Sequence, residues 1–250
     1  MCDPQAKCQA VEALASTDHI DVQVALKASA NIPGRPERPE LVPPAKVPRR
    51  AMSSVEGRAA LLHALAHIEF NAINLALDIM WRFPNMPEAF YRDWRKVAIE
   101  EAVHFGMLAK RLQALGYAYG DFLAHNGLWE MAEKTQHDIL ARIALVPRTL
   151  EARGLDASPA IRDRLLQAGD AESAAILDII LRDEIGHVLI GNDWYKLLCV
   201  ARKADPIQTY AALAVRHHAP RLRGPFNMEA RRKAGFDEDE LEALHRMARA

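Results

Sequence analysis

Apolar positions recur every three to four residues over most of the stretch from 53 to 202, the period of helices with one buried face. Breaks in that pattern place the elements. Ser53 and Glu56 form a capping-box pair that starts a helix over about 54–81. Pro84 and Pro87 punctuate, and Asn85 can cap a second helix running to about Gly116. Residues 117–126 read as a loop ending in Asn126-Gly127. A third stretch runs from about 127 to 153 and stops at Gly154. Ser158-Pro159 restarts a short helix, Gly169 interrupts it, and Asp170 caps a fourth long helix to about 202. Four long helices with short links predict an all-α four-helix bundle over 53–203. The flanks are 1–52, a mildly helical segment followed by an arm with six prolines in 32–50, and 204–250, an extension with further helices broken at 217–227. Proline at that density excludes regular helix, so the arm is either flexible or laid across the surface.

The apolar faces carry unexpected charges. The first helix presents Leu62, Ala66, Glu69, Ile73, Ala76 and Met80 along one stripe. A carboxylate buried there needs a partner, a proton or a metal. The second presents Trp94, Val97, Ala98, Glu101, His104, Phe105, Leu108 and Leu112, with Glu101 and His104 one turn apart. The fourth repeats the motif as Leu177, Leu181, Glu184, His187 and Val188. Ten histidines and 17 glutamates in 250 residues give an expectation of about 0.7 chance Glu-x-x-His matches, and three occur. The third, Glu242 to His245, lies in a charged stretch and is set aside. Taken singly, such a motif is more often a surface pair.

The larger pattern is more specific. Glu69 precedes Glu101, and Glu151 precedes Glu184, at nearly equal spacing, so Glu followed by Glu-x-x-His occurs twice. The third helix also offers Glu130 and Glu133, but only Glu151 keeps the repeat. Two such hairpins packed together bring four carboxylates and two imidazoles into one core, the ligand set of a di-iron or di-manganese carboxylate bundle. Carboxylates are hard anionic ligands that bridge two cations, and imidazole adds a neutral donor. Glu69, Glu101, His104, Glu151, Glu184 and His187 are the expected ligands, with two iron ions, or manganese or a mixed pair, as the cofactor. Glu100 and Asp183, each preceding a motif glutamate, are expected to accept the second N–H of the opposite imidazole.

Other residues fit less directly. His63 and His67 share a helix with Glu69, but His67 lies about 200° around it, so both are expected to serve another packing face or an inter-helix contact. His137 is too far along its helix to share a metal with Glu151. Pro147, one turn before Glu151, should kink the helix or open its backbone and so widen a substrate channel, or make an ordinary bend. Arg148 can hydrogen-bond a ligand carboxylate or sit in solvent. Two basic stretches, Arg35, Arg38, Lys46, Arg49, Arg50 and Arg216 to Lys233, have few interleaved aromatics and read as solvated or internally paired rather than RNA-binding.

Composition adds limits. With 32 basic and 33 acidic residues, half the chain hydrophobic, the balance is that of a globular protein and not of a nucleic-acid coat. Three cysteines make no disulfide framework. The start has no signal-peptide pattern, and no apolar run approaches the roughly 18–20 residues of a membrane span. The expected setting is cytoplasmic.

The runs GRPERPELVPPAKVPRR, LLHALAHIEFNAINLALDIMWRF, EEAVHF, LVPRTLEARGLD, DEIGHV and GPFNMEARRKAGF, in this order over about residues 32–237, resemble a ferritin-like family catalogued as domain of unknown function 455. The resemblance implies a ferritin-like four-helix bundle with Glu69, Glu101, His104, Glu151, Glu184 and His187 as di-metal ligands. The wider superfamily includes ferritins, rubrerythrins and di-iron hydroxylases, among them a tRNA-modifying enzyme whose third helix is matched here only by Leu150-Glu151-Ala152-Arg153.

The expected function is an O₂- or peroxide-dependent oxidoreductase, of hydroxylase type, acting on a small molecule and served by a separate electron donor. Iron handling or peroxide removal of the ferritin or rubrerythrin kind is the alternative, and a metal-stabilised binding protein with an RNA partner is a third. No membrane partner is expected, and a homodimer is compatible with the sequence.

Overall fold

Ser54, one residue later than the capping-box pattern places it, starts the first long helix: its hydroxyl accepts the Gly57 N–H at 3.0 Å. Glu56 is instead drawn to Arg50 at 3.0 Å. In this computed structural model, which describes residues 1–16, 19–28, 31–48 and 50–249, the chain is helical, and among the described residues strand pairing is limited to one isolated bridge between Leu41 and Ala124. The helices are α1 (Pro4–Glu12), α2 (Val55–Arg82), α3 (Glu88–Ala114), α4 (Gly127–Lys134), α5 (Ile139–Leu145), α6 (Ala152–Gln167), α7 (Ala171–Ala201), α8 (Pro206–Arg216), α9 (Met228–Lys233) and α10 (Glu238–Arg249). A π-helical segment, Val146–Glu151, joins α5 to α6.

The chain falls into two compact units, Met1–Trp129 with Arg164–Ile176, and Glu130–Asp163 with Leu177–Ala250. In the first, α2 and α3 form an antiparallel hairpin. Leu62, Ala66, Phe70 and Ile73 of α2 and Trp94, Ala98, Phe105, Leu108 and Leu112 of α3 are buried. The turn between them departs from the expected cap: Asn85 adopts a left-handed φ of 64°, its N–H bonds the Val22 carbonyl at 2.8 Å, and α3 begins after Pro87 with no side-chain cap. The proline-rich arm lies on this unit. Val42 N–H donates to the Ala124 carbonyl at 2.8 Å and Ala124 N–H to the Glu40 carbonyl at 3.0 Å, while Arg50 lies over the Phe122 ring. Arg49 is outside the described residues.

An 18-residue window of α2 has a mean hydropathy of 1.3, long and apolar enough to cross a bilayer, contrary to the sequence expectation. Two-thirds of that window (67%) is buried inside the protein, so its apolarity is accounted for by the core it lines.

Asp170 caps α7 as expected, accepting the Ser173 N–H at 3.1 Å, and gathers Arg111 at 2.8 Å and Arg58 at 3.4 Å. Burial works against its charge, but the Ser173 bonds and Arg111 outweigh it and hold the carboxyl below its ordinary range.

The second unit overturns two boundaries. The stretch from 127 is not one helix: α4 ends in a turn closed by Thr135, whose hydroxyl donates to the Met131 carbonyl at 2.8 Å, and Asp138 caps α5 through the Leu140 N–H. Gly154 stops nothing, and Ser158-Pro159 restarts nothing, because both lie inside α6. Ala152 and Leu155 are anchored in a core with Val188, Ala230, Phe236 and Leu241, which carries the helix through. Pro159 deprives the Leu155 carbonyl of its helical donor, and the Asn227 side-chain amide replaces it at 3.2 Å. Asn227 also caps α9 through the Ala230 N–H, and Arg231 clamps Asp156 of α6 at 2.6 Å with both side chains largely buried.

Candidate metal centre

Each motif side chain starts from helical spacing. On α2 and α3, Glu69, Glu101 and His104 are 4%, 0% and 1% exposed, set in otherwise apolar faces. The hairpin turns the three toward one another. His104 Nδ1 is 3.3 Å from Glu69 Oε2 and 3.3 Å from Glu101 Oε2, and one donor atom from each residue lies within 4.8 Å of the others. Burial alone would strip the imidazole of its proton; the two carboxylates outweigh that and push His104 up to about 11. Without metal, then, an imidazolium lies between two carboxylates. With metal, the same atoms are two anionic oxygens and one neutral nitrogen facing a cation, a donor set that suits iron, manganese or zinc. The residues fit a metal ion: a dry pocket with two carboxylates this close requires positive charge, and the imidazole can exchange its proton for an ion.

The second unit holds a like pair one turn apart on α7. His187 is fully buried, Glu184 is 8% exposed, and His187 Nδ1 is 3.6 Å from Glu184 Oε1. Glu151 ends the π segment and is half-buried. Pro147 disturbs the helix as expected, but by widening one turn rather than by a simple bend. The Thr149 hydroxyl donates to the Ala144 carbonyl at 2.7 Å, five residues back, which satisfies a carbonyl of the widened turn. Gly191 of α7 makes room for Pro147: a Cβ there would meet Pro147 Cβ at 2.9 Å.

Arg148 is neither on a ligand carboxylate nor in solvent, the two placements expected of it. Because a π turn needs more residues to close, Arg148 no longer lies one turn before Glu151. Its guanidinium is 4% exposed, donates to Asn192 Oδ1 and Glu240 Oε1 at 2.5 Å each, and stacks on Tyr195 and Phe236. Glu100 pairs with Lys96 at 2.6 Å and Asp183 with Arg182 at 2.8 Å.

The family model described as protein of unknown function (DUF455) matches residues 1–242. The chain belongs to the DUF455 family. A relative from Haemophilus influenzae (strain ATCC 51907 / DSM 11121 / KW20 / Rd), described as an uncharacterized protein, is 46% identical over 259 residues, covering 97% of this chain and 89% of the relative. No solved structure matches the chain.

His63 and His67 hold a loop. His63 Nε2 accepts the Gly120 N–H at 2.9 Å, at a glycine with φ of 109°. His67 contacts the Tyr119 hydroxyl at 2.8 Å and the His125 carbonyl at 3.1 Å. Burial pushes both down to about 4, so both are neutral at pH 7. The buried Glu240–Arg148–Asn192 network escaped sequence reading. Glu240 stands in a run of exposed acids, and nothing local distinguishes it.

Proposed function

We propose that this DUF455 protein is a non-haem di-metal carboxylate protein, with two irons, two manganese ions or a mixed pair, that uses O₂ or peroxide to oxidise a small molecule. The observation that carries the reading is the buried Glu69, Glu101 and His104 group, whose donors lie within 4.8 Å of one another. Two carboxylates and one imidazole suffice for one ion. In this reading Glu184 joins them, and His187 and Glu151 complete a two-ion set within a ferritin-like bundle over 53–203. Recurrence of a buried Glu-x-x-His on α7 supports the extension. When bound, iron or manganese supplies redox chemistry that no side chain offers. The chain's own part is to neutralise the ions with carboxylates, exclude water with the apolar faces, and orient the imidazoles, with Glu100 and Asp183 assigned to the second ring N–H of each. Reducing equivalents come from a separate electron donor.

The test is metal content by plasma mass spectrometry on full-length protein purified without chelator. About two equivalents per chain, lost in Glu101→Ala and halved or lost in Glu184→Ala, is the expected result. A folded protein with no metal, which takes up none on anaerobic Fe(II) addition, overturns the reading. Particle size by light scattering tests the storage alternative, because a ferritin-type cage scatters as a very large assembly.

A further inference from the structure

We propose that a groove in the second unit, between α8, the turn that follows it and α10, binds a small carboxylic acid with an aliphatic tail. This proposal does not depend on the metal reading.

The groove follows from how α8 ends. His218 takes a left-handed φ of 52°, Ala219 N–H reaches back to the Ala214 carbonyl at 2.9 Å and His218 N–H to Val215 at 3.2 Å, so the chain reverses in a closed helix terminus. Pro220 then keeps the chain from resuming the helix. The reversal leaves one side of α8 facing α10 across a space of about 450 Å³. Volumes of 300–1,000 Å³ are those of small-molecule sites.

The lining specifies the ligand. Its walls are aliphatic: Ala214, Val215, Leu222, Leu244 and Met247. Val215 is 77% exposed and Met247 36%, more than apolar side chains of a finished core. Tyr210 is the aromatic member, and its hydroxyl is already bonded to the Thr149 hydroxyl at 3.0 Å. The basic side chains of the lining are Arg221 and His218, and no aspartate or glutamate lines the groove among the described residues. Three arginines around the groove are matched, Arg148 with Glu240, Arg231 with Asp156 and Arg232 with Glu238. Arg221 and His218 make no side-chain hydrogen bond or ion pair among the described residues. An aliphatic trough with unmatched positive charge at its edge suits an aliphatic tail and a carboxylate head.

The experiment is calorimetric titration of the full-length protein with decanoate below its micelle concentration at low ionic strength. Saturable binding at one site is expected. Octanoate should bind roughly tenfold more weakly, because two fewer methylenes are buried. Decanol should bind at least tenfold more weakly, and Arg221→Ala should weaken decanoate by about tenfold. Ala214→Phe, which fills the groove from the exposed side of α8, should abolish binding while leaving the helical circular dichroism intact. Absence of saturable binding at millimolar decanoate overturns the proposal. So does equal affinity for decanol, unchanged affinity in Ala214→Phe, or capture by phosphatidylglycerol vesicles without binding of free decanoate.

Discussion

Metal uptake by this protein should release a proton from His104, and affinity should rise with pH. The metal-free imidazole sits 3.3 Å from two buried carboxylates and titrates at about 11, above the ordinary histidine value of 6.5. A group raised in this way stabilises the metal-free fold fully below 6.5 and loses that contribution as pH rises through about 11. A metal that takes the Nδ1 lone pair must displace that proton. The binding constant therefore gains about tenfold per pH unit while His104 is protonated, or about thirtyfold between pH 6.5 and 8. Mn(II) is the suitable probe, since it neither oxidises nor precipitates readily in that range. Titration calorimetry in two buffers of different protonation enthalpy gives the number of protons released, which should include about one lost in His104→Ala. Tight binding with no proton release, or with the same release in His104→Ala, would refute the imidazolium and with it the account of how two carboxylates coexist in this pocket.

Three further expectations concern the framework. Arg148→Met should cost about 3–5 kcal/mol by chemical denaturation, because Glu240 and Asn192 would lose their shared partner in a buried site; a loss under 1 kcal/mol would show that Lys196, 3.2 Å from Glu240, suffices. Gly191→Ala should cost about 1–3 kcal/mol, since its methyl meets Pro147 at 2.9 Å, whereas Gly154→Ala, whose Cβ meets nothing within 4 Å, should be neutral or stabilising. Asp170 is held below its ordinary carboxylate range, so its contribution is present above about pH 4 and lost as pH falls through the lowered value; Asp170→Asn should flatten the acid limb of a stability–pH curve, and an unaltered limb would contradict the ion cluster at Arg111 and Arg58.

The sequence by itself determined the long helices α2, α3 and α7 and placed on them buried acids and histidines that could hold a metal. Helical periodicity is local, so a charged residue in an apolar stripe is visible without knowing what lies opposite. Glu69, Glu101, His104 and Glu184 were legible for that reason, and their burial follows from the stripes they occupy. The α7 cap at Asp170 and the break at Gly169 were legible too, because each is made by residues within a few positions of one another.

Tertiary structure decided what depends on a distant partner. Pro159 breaks a helix by any local rule, yet α6 runs through it because Asn227 bonds the carbonyl that proline orphans. Gly154 is a natural stop, yet buried Leu155 keeps the helix going. Arg148 was expected on a ligand or in water. The π turn at Pro147 turns it instead toward Glu240, 92 positions along the chain. Long-range partners change the free energy of a local conformation by about as much as local preferences do, roughly 1–3 kcal/mol, so neither proline, glycine nor arginine could be read without them.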